Sequence, residues 1–419
     1  MTTALPALYI NSARLRDDFD RLAQIGATVG GGISRLALSN EDLQARAWFA
    51  SQLEDVGFEV YDDDAGNLSG ILRSERPASR TLLVGSHLDT VPNGGRFDGS
   101  VGVLAALECL RTIAEAGIKL PVHLEVIDFT DEEGCWQSLL GSQGLTGRLQ
   151  PTHINDKVED HAAFRAALIR AGIHPNDIFS ARRDAESLVG FVELHIEQGS
   201  RLDRAGVDIG LVTAIVGRTT CEITFLGEAG HSGTTDRDER KDALLGAARF
   251  ISQAHEMVRR HYDEGVFNCG NVRVHPGAFN IIPSKVCLTM EFRHPDESQM
   301  VAMEQALIAL SEDCAEKHGL KVQARQIVHM PAATMSTPML QAAERACQSL
   351  GVSYMRTIGY AGHDVQIMSS FTPSAMIFIP SVDGVSHNPR EYSHWEQVEK
   401  GANVLLHTLL NIALSGAES

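Results

Sequence analysis

A chain of 419 residues is longer than one compact core usually takes, so two domains are expected. Hydrophobic residues at 43% and charged residues at 21% are ordinary for a soluble globular protein, and no apolar run approaches membrane-spanning length. A net charge of −18 argues against nucleic acid or an anionic membrane as partner.

The opening stretch MTTALPALYINSARLRDD has no basic region followed by an apolar run, so no secretory signal is expected. Residues 41–56 have the spacing of an amphipathic helix, with Leu43, Ala47, Ala50, Leu53 and Val56 recurring and Gly57 as its stop. Phe58–Tyr61 is strand-like and Asp62–Asn67 is turn-rich. Thr81–Ser86 predicts a buried strand, Val101–Leu110 a helix packed on a sheet, and Val122–Phe129 a second strand. Strand, helix and strand at this spacing make a βαβ unit, hence a mostly parallel sheet. Residues 151–189 are polar, helical in parts, and look like an insertion; Gly190–Ile196 returns to strand character.

From 212 to 329 the rhythm changes. Thr213–Leu226 is strand-like, and Asp242–Val258 is helical with Leu245, Ala248 and Ile251 on one side. Asn268–His275 and Val286–Arg293 are strands. Met300, Met303, Leu307, Leu310 and Cys314 step along a helix, and Leu320–Val328 is a last strand. The order β-α-β-β-α-β is the ferredoxin-like pattern. The expectation is therefore an α/β catalytic domain, 1–212 with 330–419, interrupted by a ferredoxin-like α+β domain at 213–329. After 330 the chain offers a helix near Met339–Leu350 and a strand at Ala375–Ile379. Seven scattered cysteines without a C-x-x-C pair fit reduced thiols in a cytoplasmic protein.

Five short motifs leave predicted strands or follow them closely. His87 lies in Gly85-Ser86-His87-Leu88-Asp89-Thr90, just past a buried strand, where ligands bind in open α/β sheets. Asp89 is placed to accept a hydrogen bond from the second nitrogen of His87 and fix its tautomer. Asp98 lies among glycines in GGRFDGS, where it is also positioned to cap the helix beginning near Ser100. Asp131-Glu132-Glu133-Gly134 puts three acids at one strand end, costly unless a cation or proton compensates. His195 occurs in ELHIEQG and His387 in SHNP. Each residue alone has an ordinary structural explanation: a polar loop, a cap, a solvated acidic turn. Three imidazoles and two carboxylates at successive strand ends suit Zn²⁺, Mn²⁺, Co²⁺ or Ni²⁺. No G-x-S-x-G elbow, Walker loop or G-x-G-x-x-G follows a strand.

The segments GSHLDTVPNGGRFDGSVGV, DEEG, ELHIEQG, GHSGTTDRDERKDA, GYAGHDV and GVSHNPREY resemble the N-carbamoyl-L-amino-acid hydrolase group of the M20 metallopeptidase-like amidohydrolases, which includes allantoate amidohydrolase and β-ureidopropionase. The resemblance runs from the first motif to His387. It implies a homodimeric enzyme whose inserted domain serves as lid and dimer interface. It also implies two divalent metal ions per subunit. His87, Asp98 and His195 would hold one ion and Asp98, Glu133 and His387 the other, with Asp98 bridging and Glu132 as general base. Gln198 would contact the carbamoyl group and His231 the oxyanion. Asn280, Arg293 and the Gly362 N–H would hold the substrate carboxylate, a task that suits the guanidinium fork. The implied substrate is a small ureido acid, cleaved to amino acid, CO₂ and ammonia.

Two departures stand out. The group continues its acidic motif as E-E-G-x-R-F, whereas Cys135-Trp136 follow Gly134 here and the segment before Gly141-Ser142 is shortened. The group's H-A-G-T-T-P is here His231-Ser232-Gly233-Thr234-Thr235-Asp236. The rival readings are an allantoate amidohydrolase or β-ureidopropionase, a dipeptidase or aminoacylase on the same scaffold, and a non-catalytic ureido-acid binding protein.

Overall fold

The computed structural model describes residues 8–415, apart from the side chains of 155–157. The first seven residues of the stretch inspected for a secretory signal lie outside the described residues. The chain divides into two compact units, Met1–Thr213 with Met335–Ser419, and Ala214–Thr334.

The first unit is built on a mixed sheet of nine strands. Its centre is four parallel strands in the spatial order His123–Phe129, Thr81–His87, Leu188–Ile196, Ser374–Ile379. Antiparallel strands Glu59–Asp62 and Leu68–Leu72 extend one side; Ile209–Ile215 extends the other and pairs with Tyr354–Gly359, while its last residues, Ala214 and Ile215, pair with Ala333–Thr334 where the chain enters and leaves the second unit. Every residue of His123–Phe129 and of Ser374–Ile379 is buried, which requires cover on both faces; the second strand is apolar after Ser374, whereas the first also buries His123, Glu125 and Asp128. Helices Ser100–Glu115 and Trp395–Ser415 pack on each other and on these strands, with Thr337–Leu350 beside them. Because the central strands are parallel, their carboxyl ends lie on one edge, and His87 and the Asp131–Glu133 turn follow neighbouring strands there.

The segment at 151–189 forms helices Pro151–Lys157 and His161–Arg170 over a separate apolar cluster that includes Leu140, Phe164 and Leu168.

The second unit has a four-stranded antiparallel sheet in the order Lys321–Met330, Gly217–Leu226, Lys285–His294, Val266–His275, with helices Ala243–His261 and Glu297–Glu316. Residues of Gly217–Leu226 and Lys285–His294 alternate between buried and partly exposed, so one face meets a core containing Phe225, Phe250, Leu288 and Met303. The strand expected at Thr213–Leu226 is two strands, Ile209–Ile215 and Gly217–Leu226, separated at Val216. No described helix is long and apolar enough to cross a membrane.

Two helical faces differ from their expected apolar stripes. In Ala243–His261 the buried side is Ala247, Phe250, Ala254 and Val258, whereas Leu245 is 54% exposed and Ala248 faces out. In Asn40–Asp55 the buried side includes Asp42, Ala45, Arg46, Phe49 and Leu53, and Ala47 is exposed. A polar pair displaces the stripe in the second case. Asp42 accepts the Leu38 N–H at 2.8 Å, and Arg46 reaches Asp128 and Thr130, each at 3.3 Å, as well as the Gly66 carbonyl. Asp128 in turn accepts the Leu88 N–H at 2.8 Å, so this helix braces the loop that carries His87.

Burial pushes the Asp128 carboxyl up to about 7, against the opposing pull of Arg46. Replacing Arg46 by Met leaves a buried carboxyl without its cation, and a loss of about 3 kcal/mol is expected from such a broken pair. The folded-state value lies above the unfolded one and rises further in the variant. Protonated Asp128 is tolerated at low pH, and the deficit grows as pH rises through 7. Denaturant unfolding at pH 6 and pH 8 checks this; equal and small deficits at both would contradict it.

Candidate metal centre

His87 ends its strand with a side chain 1% exposed. Its Nδ1 lies 3.0 Å from the backbone carbonyl of Asp89, while the Asp89 carboxylate is 3.6 Å away. The tautomer is therefore set by the Asp89 main chain, a correction to the expected carboxylate contact, and Nε2 is left as the free ligand atom. The Asp89 carboxylate instead accepts the N–H groups of Glu132 and Glu133 at 3.3 and 3.2 Å, orienting the acidic turn.

Asp98 does not cap the following helix. The N-cap is Gly99, which has no capping side chain and donates its N–H to His195 Nε2 at 3.2 Å. Gly99 has φ 62°, and a Cβ there would lie within 2.5 Å of His87 ring atoms, so only glycine lets the chain pass beneath the imidazole. The freed Asp98 carboxylate is approached by three imidazoles: Oδ1 is 3.8 Å from His87 Nε2 and 3.2 Å from His195 Nε2, and Oδ2 is 3.4 Å from His387 Nε2. His195 Nδ1 faces the carbonyl of Ile196 at 2.9 Å, turning its Nε2 towards Asp98. Glu133 Oε2 lies 3.4 Å from His387 Nε2.

Two sets of ligand atoms thus converge within 4.8 Å, His87 with Asp98 and His195, and Asp98 with Glu133 and His387. A third set, Glu193, His195 and His363, shares His195 with the first. Its members have other contacts. Glu193 accepts the Ser86 hydroxyl and the Val365 N–H at 2.8 and 2.9 Å. The His363 ring lies edge-on to His195 with centroids 4.4 Å apart.

The three acids of the Asp131–Glu133 turn have separate work. Asp131, at φ 55°, accepts the N–H groups of Cys135, Trp136 and Gln137 at 2.7, 3.0 and 2.7 Å, which folds the loop on itself. Trp136 stacks near Phe164 at 5.5 Å between centroids and donates to the Ala37 carbonyl, so it anchors the loop to the helical insertion. Cys135 is exposed. Glu132 is 7% exposed, with Oε2 3.6 Å from His87 Nε2.

The electrostatics suit a cation. Burial, then the charges of Glu133 and Asp364, raise the Glu132 carboxyl well above the usual range. Burial and Asp98 raise Glu133 to about 7. Burial lowers His87 to about 4. Burial also opposes charge on His195, but the hydrogen bond and charge of Asp98 outweigh it and raise the group to about 9. The Asp98 hydrogen bond raises His387 to about 9 despite burial. A divalent cation would displace these protons, leaving ionised carboxylates and neutral imidazoles, and the donor set of imidazole and carboxylate matches a borderline transition metal.

Gln198, also at positive φ, donates through Nε2 to Asp98 Oδ2 at 2.9 Å, and its buried Oε1 has no hydrogen-bond partner among the described residues. Gly362 is exposed in the loop before helix Asp364–Met368. His231, Asn280 and Arg293 belong to the second unit. There His231 Nδ1 accepts the N–H groups of Gly233 and Thr234 at 3.1 and 3.2 Å, which leaves the proton on Nε2. The Asn280 carbonyl accepts the Ser232 N–H, and Ile281 pairs with His231, so Asn280 and His231 adjoin. Arg293 is ion-paired to Glu291 on its own strand at 2.8 Å.

Two further contributors to the site, Glu391 and Ser386, lie inside GVSHNPREY. Glu391 Oε1 accepts the N–H groups of Phe97 and Asp98 at 3.0 and 3.1 Å, and Ser386 Oγ lies 3.0 Å from Asp98 Oδ2 and 2.8 Å from Glu391 Oε2. Only the polar character of Ser386 and of NPREY, on either side of a candidate ligand, hinted at them.

Residues 83–411 match the model of Peptidase family M20/M25/M40. The chain is 35% identical to an N-carbamoyl-L-amino acid amidohydrolase of Geobacillus stearothermophilus over 96% of this chain and 99% of the relative. It is 32% identical to an allantoate amidohydrolase of Bacillus subtilis, over 95% of this chain and 97% of the relative. The crystal structure of an amidase of the hydantoinase/carbamoylase family from Burkholderia multivorans superposes with a TM-score of 0.87 at 33% identity, covering 97% of this chain and 99% of that one. Enzymes of the M20 family use divalent metals, and the ligand sets described above are of that kind. The chain belongs to the M20 peptidase family and is a hydrolase of amide C–N bonds.

Proposed function

We propose that the protein is a two-metal amidohydrolase that cleaves the carbamoyl amide of an N-carbamoyl-L-amino acid or a related ureido acid. The observation that carries this reading is the convergence of His87, Asp98 and His195, and of Asp98, Glu133 and His387, beside a buried Glu132. Asp98 belongs to both sets, and the five residues together would hold the ions. Two bound divalent ions would supply Lewis-acid polarisation of the scissile carbonyl and a water of pKa about 7.

Glu132, buried with its carboxylate 3.6 Å from His87 Nε2, takes a proton from the attacking water and holds it until the C–N bond breaks. It then delivers the proton to the departing nitrogen. The unpartnered Oε1 of Gln198 is an acceptor suited to the terminal NH₂ of a carbamoyl group. His231, with its proton on Nε2, is a donor suited to an oxyanion. Arg293 and Asn280, with the Gly362 N–H, are assigned to the substrate carboxylate on the strength of their motifs. The inserted unit is assigned the lid and dimer-interface roles on the same basis.

Glu132→Gln should retain fold and metal content while turnover falls by about 10²–10⁴-fold. Near-wild-type turnover by the metal-loaded variant would refute the assignment. Ammonia release from N-carbamoyl-α-amino acids, N-carbamoyl-β-alanine and allantoate should favour the first class, vanish after chelation, and return with Zn²⁺, Mn²⁺, Co²⁺ or Ni²⁺. Preference for allantoate would support the reading suggested by the Bacillus subtilis relative. Tight binding without turnover in any metal would support a binding protein.

A further inference from the structure

Among the proposed ligands, His87 and His195 have side chains only 1% exposed and are held by packing on every side. His387 differs. Its side chain is 50% exposed, and its backbone sits at φ 53° in an irregular loop. Its Nε2 lies 3.4 Å from both Asp98 and Glu133. Local polar contacts hold it: Gln198 Nε2 lies 3.4 Å from its Nε2 and 3.4 Å from Ser386 Oγ.

A second set of bonds, reaching the residue before His387, comes from Glu391, 5% exposed. A turn closed by the Glu391 N–H on the Asn388 carbonyl, with the Asn388 side chain accepting the Arg390 N–H, sends the Glu391 side chain back beneath the loop. One carboxylate oxygen then takes both Phe97 and Asp98 N–H groups, and the other takes the Ser386 hydroxyl. The carboxylate thus joins the chain segment carrying Asp98 to the segment carrying His387, across 293 positions of sequence. Gly95 supplies the space for it: a Cβ at that position would lie 2.0 Å from Glu391 Oε1.

We infer that Glu391 is a positioning residue that sets the Asp98–His387 spacing, and with it the affinity of the Asp98, Glu133 and His387 ligand set for its ion. It neither ligates nor touches substrate; it acts through the Asp98 main chain and Ser386. This inference rests on the two-ion reading proposed above.

The test uses full-length protein stripped of metal and titrated with Zn²⁺ by calorimetry, with metal content counted independently and thermal unfolding recorded alongside. Glu391→Ala should bind the ion held with His387 about 10–100-fold more weakly, with a smaller loss at the other because Asp98 serves both sets, and with activity recovered at excess Zn²⁺. Glu391→Gln should come close to wild type, because its amide oxygen still accepts both N–H groups and its NH₂ donates to Ser386. Ser386→Ala should weaken the same ion, and the double variant Glu391→Ala/Ser386→Ala should be less impaired than the two single effects combined. Unchanged affinity for both ions in Glu391→Ala would overturn the inference, even with a lowered melting temperature, as would fully additive effects. Should Glu391→Ala fail to fold, Ser386→Ala alone reads the same tie, and unchanged affinity there would overturn it. A wild type that binds a single ion would instead refute the two-ion reading; the tie then stands or falls on whether Glu391→Ala weakens that one ion.

Discussion

The carboxylate of Asp98, buried where three imidazoles converge, is the point on which the catalytic unit is organised. A charge in that position is costly without compensation, and the structure compensates it from every side. His195 and His387 hold it ionised against burial, well below the usual carboxylate range. Gln198 and Ser386 lie within hydrogen-bond distance of its Oδ2. Gly99 leaves room for His87 over the backbone, and Glu391 grips the peptide that carries the side chain. The parallel strands supply the frame, since their carboxyl ends bring His87 and the Asp131–Glu133 turn to neighbouring positions.

The unit carries more buried acids than one charge centre requires, and their hydrogen-bond partners separate those that shape the chain from those left for chemistry. Asp131 is consumed by three main-chain N–H groups, Asp89 by two, and Asp128 by one together with Arg46. Each is a peptide-folding device. Glu132 and Glu133 have their main chains oriented by Asp89, while their carboxylates face the imidazoles. Adjacent residues in one turn thereby take different roles because their neighbours differ.

The Cys135-Trp136 departure has a structural explanation. Asp131 folds the loop through the main chain of both residues, and Trp136 turns away from the acids to pack near Phe164 and bond to Ala37. The aromatic side chain anchors the acidic turn to the apolar cluster under helix His161–Arg170.

Residue types and spacing alone indicated the βαβ frame, the β-α-β-β-α-β order of Ala214–Thr334, and the motifs bearing every candidate ligand, because periodic burial and strand-end chemistry are local properties. Roles for individual residues came from resemblance, since an isolated His or Asp has the same composition whether it caps, packs or ligates. Only the tertiary structure decided that Asp98 leaves the helix uncapped, that the Asp89 main chain rather than its carboxylate sets the His87 tautomer, and that Asp131 is structural. It also decided which helical face is buried, where Asp42 and Arg46 override the apolar stripe of Asn40–Asp55 by finding polar partners inside. Glu391 shows the reason most clearly: its partners lie 293 and 294 positions away, and no pattern within a short window encodes a hydrogen bond that exists only after the sheet brings both segments together.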